Sequence, residues 1–179
     1  MSVDDAPGAS GMPPQVSESD RAAVQRQLGR EPRGLRRVAH RCACGEPDVV
    51  ETEPRLPDGT PFPTLYYLTC PRLTGAVSTL EAEGRMRQMQ DRLAEDAELA
   101  AAYRGAHESY LAQRTAIRDV PEIGGVTAGG MPDRVKCLHV LVGHALAVGL
   151  GVNPFGDEAL NEIADRGLAR GTACAEAAS

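Results

Sequence analysis

The sequence predicts a single α+β domain, in which a small three-stranded antiparallel sheet packs with four to five helices. Its length of 179 residues is typical of one domain. Three short runs rich in β-formers lie within the first seventy residues, and apolar residues then recur at helical spacing. With 42% hydrophobic and 25% charged residues, the chain has the composition of a globular protein that needs no disulfide to fold.

The first part of the chain contains one short helix and the three strands. Ser17 and Ser19 are both possible caps of a short helix over residues 20–28, and Gly29 is expected to end it. Tight turns are predicted at Cys44–Gly45 and at Asp58–Gly59. The strands that these turns separate are predicted over residues 35–41, 47–53 and 63–69.

The second part of the chain is predicted to be helical. Pro71 suits the first position of a helix, and an apolar face continues from there to Leu93. Asp96 is the expected cap of a helix with one apolar face from Leu99 to Ile117. Asp133 is the expected cap of a buried helix over residues 134–148, and a last helix begins at Asn153–Pro154.

The two ends of the chain are predicted to be disordered tails, over residues 1–17 and 169–179, with the domain over 18–168 between them. Residues 1–17 lack the apolar stretch of an export signal, and no apolar run is long enough for a membrane span. A cytoplasmic, reducing location is therefore expected. In such a compartment cysteines more often serve as metal ligands, catalytic thiols or core residues than as disulfides.

Four cysteines are predicted at strand ends and helix starts. Cys42 and Cys44 share one face of an extended segment, about 6.6 Å apart. Cys70 precedes the helix at Pro71, and Cys137 is expected in the first turn of the buried helix. The positive ends of helix dipoles favour thiolates at both positions. The sequence thus predicts a site for structural zinc or an iron–sulfur cluster, with the ligands Cys42, Cys44, Cys70 and Cys137.

Two histidines could replace a sulfur ligand, and two other roles for the cysteines stay open. His139 lies about 200° around the helix from Cys137, so both can face one ion only if the helix begins later. His144 shares a face with Cys137 but lies about 10 Å along the axis. The thiols could instead be inert core residues, or Cys70 could be the nucleophile of a thiol redox enzyme.

The charge distribution predicts which partners the chain could have. A net charge of −6 and few aromatic residues argue against a nucleic-acid-binding protein. The segment from Arg21 to Arg41 nevertheless contains seven arginines and one glutamate. This arginine segment could bind an anionic ligand or an acidic protein surface, or it could be a solvated edge.

Three separated blocks of sequence carry a family resemblance. They read HRCACGEPDVVETEPRLPDGTPFPTLYYLTCPRL, YRGAHESYL and GGMPDRVKCLHVLVGHALAVGLGVNPFGDEAL. In this order, over roughly residues 20–165, they resemble the bacterial family catalogued as domain of unknown function 501. The resemblance implies a cytosolic, mostly actinobacterial protein whose gene often neighbours a septum-formation initiator. A non-catalytic interaction or regulatory protein linked to cell division, using the arginine segment or the apolar face from Leu99 to Ile117, is therefore the alternative to a metal-binding protein.

Overall fold

A computed structural model describes residues 16–170 of the chain. Most of the predicted N-terminal tail and most of the predicted C-terminal tail, including Cys174, lie outside these residues. Within them, no helix is long and apolar enough to cross a membrane.

The predicted α+β class is confirmed. Three strands and six α-helices are found in residues 16–170, together with the short 3-10 helices Pro121–Ile123 and Ala128–Gly130. The predicted continuous apolar face after Pro71 is split in two, because Gly84 adopts a left-handed conformation with φ of 84° and ends one helix before the next begins. In chain order, the elements are α1 (Glu18–Leu28), β1 (Leu35–Arg41), β2 (Pro47–Thr52), β3 (Tyr66–Leu68), α2 (Pro71–Ala82), α3 (Arg85–Glu95), α4 (Ala97–Ile117), α5 (Leu138–Val148) and α6 (Pro154–Arg166).

The sheet is antiparallel with the order β1-β2-β3. Val50 pairs with Val38 on one side and with Tyr67 on the other, and every residue of the central strand β2 is buried. The third strand is shorter than predicted, because Pro63 has no N–H to donate and the Leu65 N–H donates to the Tyr110 hydroxyl instead of to the neighbouring strand. Antiparallel pairing places the β1–β2 turn and the end of β3 at the same end of the sheet.

Helix α5 lies at the centre of the core. Leu138, Leu141 and Val142 have no exposed surface, and α5 packs on β3 and on α6. At the α5–α6 crossing, Gly156 lets the two backbones approach, since a Cβ there would lie 2.8 Å from the Ala145 Cβ. The fold therefore fixes the start of α5 between the sheet and α2.

The predicted start of this buried helix is wrong. Residues 134–137 are not helical, Cys137 is the extended N-cap residue with φ of −155°, and the Asp133 side chain is 79% exposed. The reason is tertiary: the Gln90 Oε1 accepts the N–H of Val135 at 2.9 Å, and the Glu81 Oε1 accepts that of Leu138 at 2.7 Å. Gln90 of α3 thus pairs an N–H in the non-helical segment, and Glu81 of α2 pairs the first N–H of the helix that begins at Leu138, a donor without an intrahelical partner.

The apolar face of α4 is used inside the protein. Tyr103, Ala106 and Tyr110 are fully buried, and the Tyr110 hydroxyl accepts the backbone N–H of Leu65 at 2.5 Å. The prediction that this face could bind a partner is therefore wrong, because the core of the same chain covers it.

Candidate functional site

The four predicted cysteine ligands fall at two separate places. Cys42, Cys44 and Cys70 line a cavity of about 270 Å³ at the end of the sheet. Cys137 lines another cavity, of about 400 Å³, together with His139. Cys70 caps α2, and Glu81, which lies beside Cys137 and His139, is eleven residues further along that helix, or about 16 Å. The structure does not bring all four sulfurs to one place.

Cys42 and Cys44 are joined by a disulfide, which differs from the reduced pair expected from the sequence. Their Cα atoms are 5.4 Å apart, within the usual range for a disulfide. They are closer than on an extended strand because the chain turns at this point, where the Gly45 N–H donates to the Cys42 carbonyl and Gly45 has a φ of 89°.

Cys137 belongs to a different group of potential ligands, formed with Glu81 and His139. One ligand atom from each residue lies within 4.8 Å of the other two. The His139 Nδ1 is 3.2 Å from the Glu81 Oε1 and 4.0 Å from the Cys137 Sγ. We call these three residues the Cys137 centre.

The Cys137 centre exists because of where two helices end and begin. Glu81 is next to the last residue of α2, whereas Cys137 caps α5 and His139 lies in its first turn. A helix that continued through Cys137 would point its side chain away from His139. Because Cys137 is extended instead and the helix begins after it, its Sγ and the His139 Nδ1 can face the same ion.

The second ring nitrogen of His139 faces the backbone of α2. Its Nε2 lies 3.3 Å from the Thr74 carbonyl oxygen and 3.4 Å from the Ser78 Oγ. Because a carbonyl oxygen only accepts, Nε2 carries a hydrogen in this arrangement. When His139 is neutral, Nδ1 therefore has the free lone pair and faces Glu81 and Cys137. Metal-binding histidines are commonly oriented by such a contact of the other nitrogen.

The ionisation of Cys137 and His139 is coupled. The hydrogen bond with Cys137 raises the pKa of His139 to about 9, burial opposes this, and the Glu81 carboxylate adds to it. Burial by itself would raise the pKa of Cys137, but His139 and the backbone N–H of Val140 lower it more, so the net shift is downward. At neutral pH the centre thus holds a charged imidazolium beside a sulfur that ionises readily.

His144, the other predicted substitute ligand, is placed in the core and not in the Cys137 centre. Its ring stacks on Tyr66 with 6.0 Å between the centroids, and its Nδ1 accepts from the Asn153 Nδ2 at 3.2 Å. Burial lowers the pKa of His144 to about 4, so the ring stays neutral at physiological pH.

The arginine segment is engaged in ion pairs within the chain. Arg36 and Arg37 both contact Glu51, whose side chain is 6% exposed, at 3.0 Å and 2.6 Å. The arginines of this segment form five further ion pairs: Arg21–Glu31, Arg26–Glu46, Arg33–Asp58, Arg36–Glu53 and Arg41–Asp20. Much of the charge excess seen in the sequence is therefore neutralised by neighbouring carboxylates.

Glu81 is the functional candidate that sequence reasoning missed. No motif connects it to Cys137, which lies 56 residues later in the sequence. The only local signal is a carboxylate near the end of a predicted helix, and such residues are common on solvated helix faces. The packing of α2 against α5 brings the Glu81 carboxylate to the Leu138 N–H and the His139 ring.

The chain was compared with known families, curated proteins and solved structures. A family model described as "Protein of unknown function (DUF501)" matches residues 38–161, more than two thirds of the chain. The match includes Glu81, Cys137 and His139 as well as Cys42, Cys44 and Cys70. No curated protein and no solved structure matches the chain.

Proposed function

This chain belongs to the DUF501 family, and we propose that it binds a zinc ion through Glu81, Cys137 and His139. The observation that carries the proposal is the convergence of a carboxylate, a sulfur and an imidazole nitrogen within 4.8 Å of one another. Carboxylate, thiolate and imidazole are the three protein ligand types of zinc.

The distances in the Cys137 centre support this coordination. Ligand atoms bound to one tetrahedral zinc ion at about 2.0–2.3 Å lie about 3.3–3.6 Å apart. The separations of 3.2 Å from the His139 Nδ1 to the Glu81 Oε1 and 4.0 Å to the Cys137 Sγ lie on either side of that range. Shifts of a few tenths of an ångström would bring these two separations into the range, and the Glu81 and Cys137 ligand atoms lie within 4.8 Å of each other.

Three protein ligands leave the fourth position of a tetrahedral ion open, as in catalytic zinc sites. Cys137 and His139 line the cavity of about 400 Å³, which Tyr66, Tyr67 and Thr74 also line. Water or a small ligand in this cavity could reach the ion. The site is therefore more consistent with an exchangeable ligand position than with a closed four-sulfur site.

A regulatory role in cell division is the second function predicted from the resemblance, and it stays a prediction. The contacts that bear on it are the ion pairs of the arginine segment and the burial of the α4 face. Neither of them supports a partner-binding surface, so we rest the proposed function on the Cys137 centre.

Cobalt substitution tests the proposal, because Co²⁺ occupies tetrahedral zinc sites and has a visible spectrum that reports thiolate ligation. We expect the full-length protein, with its disulfide intact, to bind Co²⁺ with a sulfur charge-transfer band that Zn²⁺ abolishes. Cys137→Ser should remove that band. His139→Ala should weaken Co²⁺ binding by more than about 100-fold. Loss of a residue that only orients a metal ligand weakens binding by at most about 100-fold, so a larger effect identifies a ligand.

Two variants serve as controls in the cobalt experiment. Glu81→Gln keeps an oxygen that accepts the Leu138 N–H but removes the carboxylate charge, so it should weaken binding without displacing α5. His107→Ala changes a histidine of α4 that contacts Thr127 and lies outside the centre, so it should bind like the wild type. If His139→Ala and Cys137→Ser bind Co²⁺ as tightly as His107→Ala, the proposed function is wrong.

A further inference from the structure

The Cys42–Cys44 disulfide lies outside the Cys137 centre, in the turn that follows β1. Both residues line the cavity of about 270 Å³ at the end of the sheet, together with Cys70. Cys44 is exposed, Cys42 is half-buried and Cys70 is 3% exposed. A thiol from outside the protein therefore reaches Cys44 more readily than the other two cysteines.

Stabilisation of the fold accounts for little of this disulfide. A disulfide stabilises a protein mainly by restraining the unfolded chain, and more so when it closes a longer loop. Cys42 and Cys44 are two positions apart, so their bond closes a very short loop. A chemical role is therefore the better explanation of the pair.

The turn that holds the two sulfurs is built from hydrogen bonds that do not involve the S–S bond. The Cys42 N–H donates to the Glu46 carbonyl at 3.1 Å, and the Gly45 N–H donates to the Cys42 carbonyl at 2.9 Å. The Arg41 guanidinium donates to the Gly45 carbonyl at 3.1 Å and to the Asp20 carboxylate of α1 at 2.7 Å. These contacts would keep the sulfurs close after reduction, so the pair can be oxidised again.

The surroundings of the pair favour the negative sulfur that forms when a disulfide is broken. The Cys44 N–H donates to the Cys42 Sγ at 3.3 Å, and such a donor stabilises a thiolate on Cys42. The Arg72 side chain also lines the cavity, and the Asp48 carboxylate there is engaged by the His40 Nδ1 at 2.8 Å. A sulfur that is stabilised as a thiolate leaves faster, so Cys42 is the better leaving group of the two.

We propose that the Cys42–Cys44 pair carries out thiol–disulfide exchange with a low-molecular-weight thiol that bears a carboxylate. The Cys44 Sγ is the atom that the thiol attacks, Cys42 is the leaving group, and the Arg72 guanidinium attracts the carboxylate. A cavity of about 270 Å³ suits a small molecule. The activity uses no residue of the Cys137 centre and does not depend on zinc binding there.

The exchange is balanced in two steps. A thiolate attacks the Cys44 Sγ, the Cys42–Cys44 bond breaks, and the Cys42 sulfur receives the electron pair and a proton from water. A second thiolate attacks the sulfur of the bound thiol, and the Cys44 sulfur receives the electron pair and a proton. Two thiols have then lost two electrons and two protons and leave as one disulfide. The reverse steps with another low-molecular-weight disulfide restore the Cys42–Cys44 bond.

Trapping of the mixed disulfide identifies the attacked sulfur. The full-length variants are incubated with the disulfide of mercaptopropionate and a metal chelator, and mass spectrometry locates the product. Cys42→Ser removes the leaving sulfur, so a stable mixed disulfide should form on Cys44. In Cys44→Ser the mixed disulfide on Cys42 should form at least about tenfold more slowly, because Cys42 is half-buried.

The rate of reduction of the wild-type disulfide tests the carboxylate preference. Per thiolate, we expect mercaptopropionate to react about fivefold faster than the neutral mercaptoethanol, the effect of an opposite charge about 4 Å away in water. Arg72→Gln should remove this preference. Arg87→Gln, which changes an exposed arginine of α3, should keep it.

Each part of the proposal has an outcome that overturns it. If both thiols leave the disulfide of the folded protein intact but reduce it in urea, the pair is structural and the exchange activity is wrong. Equal trapping rates on Cys42 and Cys44 overturn the assignment of Cys44 as the attacked atom. Equal rates for the two thiols, or a preference that survives in Arg72→Gln, overturn the carboxylate specificity. None of these results changes the Co²⁺ spectrum, which reports on Cys137.

Discussion

Cys137 and His139 face each other across the first residue of α5, with the Sγ of one 4.0 Å from the Nδ1 of the other. They do so because the helix begins at Leu138, between them. Two residues at this spacing inside a continuous helix would lie about 200° apart around the axis. The start of a single helix thus decides whether the imidazole and the sulfur can share an ion.

Zinc binding at the Cys137 centre should release protons. His139 has a pKa of about 9, so its Nδ1 is protonated at neutral pH and must lose that proton before it binds a metal. We expect at least one proton to be released per zinc ion at pH 7, and the affinity to fall as the pH decreases. Calorimetric titration in two buffers of different ionisation enthalpy measures this number.

The proton-release experiment has an internal control. In His139→Ala the remaining binding should release fewer protons, because the imidazolium is absent. Proton release that is the same in this variant and in the wild type would contradict the assignment of His139 as a ligand.

Acid should destabilise the protein through His144. Burial lowers the pKa of His144 to about 4, whereas in the unfolded chain the ring has the ordinary histidine pKa of about 6.5. Below pH 6.5 the unfolded state therefore binds a proton that the folded state does not bind. The free energy of unfolding decreases as the pH falls, until the pH is below the pKa of about 4 in the folded state. Between pH 7 and pH 5 this group should cost about 2 kcal/mol of unfolding free energy.

Urea unfolding at the two pH values measures the loss. His144→Gln should be less stable than the wild type at pH 7 but should lose less between pH 7 and pH 5, because it cannot titrate. An equal pH dependence in both proteins would show that other groups cause the acid sensitivity.

Gly156→Ala should destabilise the protein by about 1–3 kcal/mol. A methyl group at this position would overlap the carbonyl oxygen of Leu141 and lie 2.8 Å from the Ala145 Cβ, so α5 and α6 must move apart. The matched control is Gly105→Ala, at an exposed position in α4 with no atom within 4 Å. That change should stabilise the helix by up to about 1 kcal/mol. Thermal or urea unfolding measures whether the two substitutions change the free energy of unfolding with opposite signs. A Gly156→Ala protein as stable as the wild type would contradict the close approach of α5 and α6.

Reversing the charge of Arg36 and Arg37 should destabilise the fold itself. Both guanidinium groups contact Glu51, which is 6% exposed and would be left as an unpaired carboxylate beside two new ones. Because the arginines are partly exposed, we expect a loss of about 2 kcal/mol, below the range for a fully buried pair. Arg30→Glu, at an exposed position, should have little effect on the unfolding free energy.

The arginine variants also separate a structural role from a partner-binding role. Adding Glu51→Gln to the reversed pair should recover part of the lost stability, because it removes one of the clustered negative charges. If charge reversal leaves the unfolding free energy unchanged, the arginines are available for an external partner after all.

Local sequence patterns predicted most of the elements of this fold. The cap at Asp96 and the starts at Pro71 and Pro154 depend on short-range chemistry, and the structure confirms all three. The first strand has its predicted bounds because its turn and β-formers are also local. These features follow from interactions between residues that are neighbours in the chain.

Tertiary structure alone decided the candidate sites. The sequence by itself determined the α+β class, the family and which cysteines lie at strand and helix ends. It did not determine that Glu81 would accept the Leu138 N–H and set the start of α5, since that contact joins residues 57 positions apart. Nor could the spacing of residues in the sequence show that Cys70 lies at the start of α2 and Cys137 beside Glu81, near its end. Metal ligands are selected by distances of a few ångströms, and only the packing of distant segments sets distances on that scale.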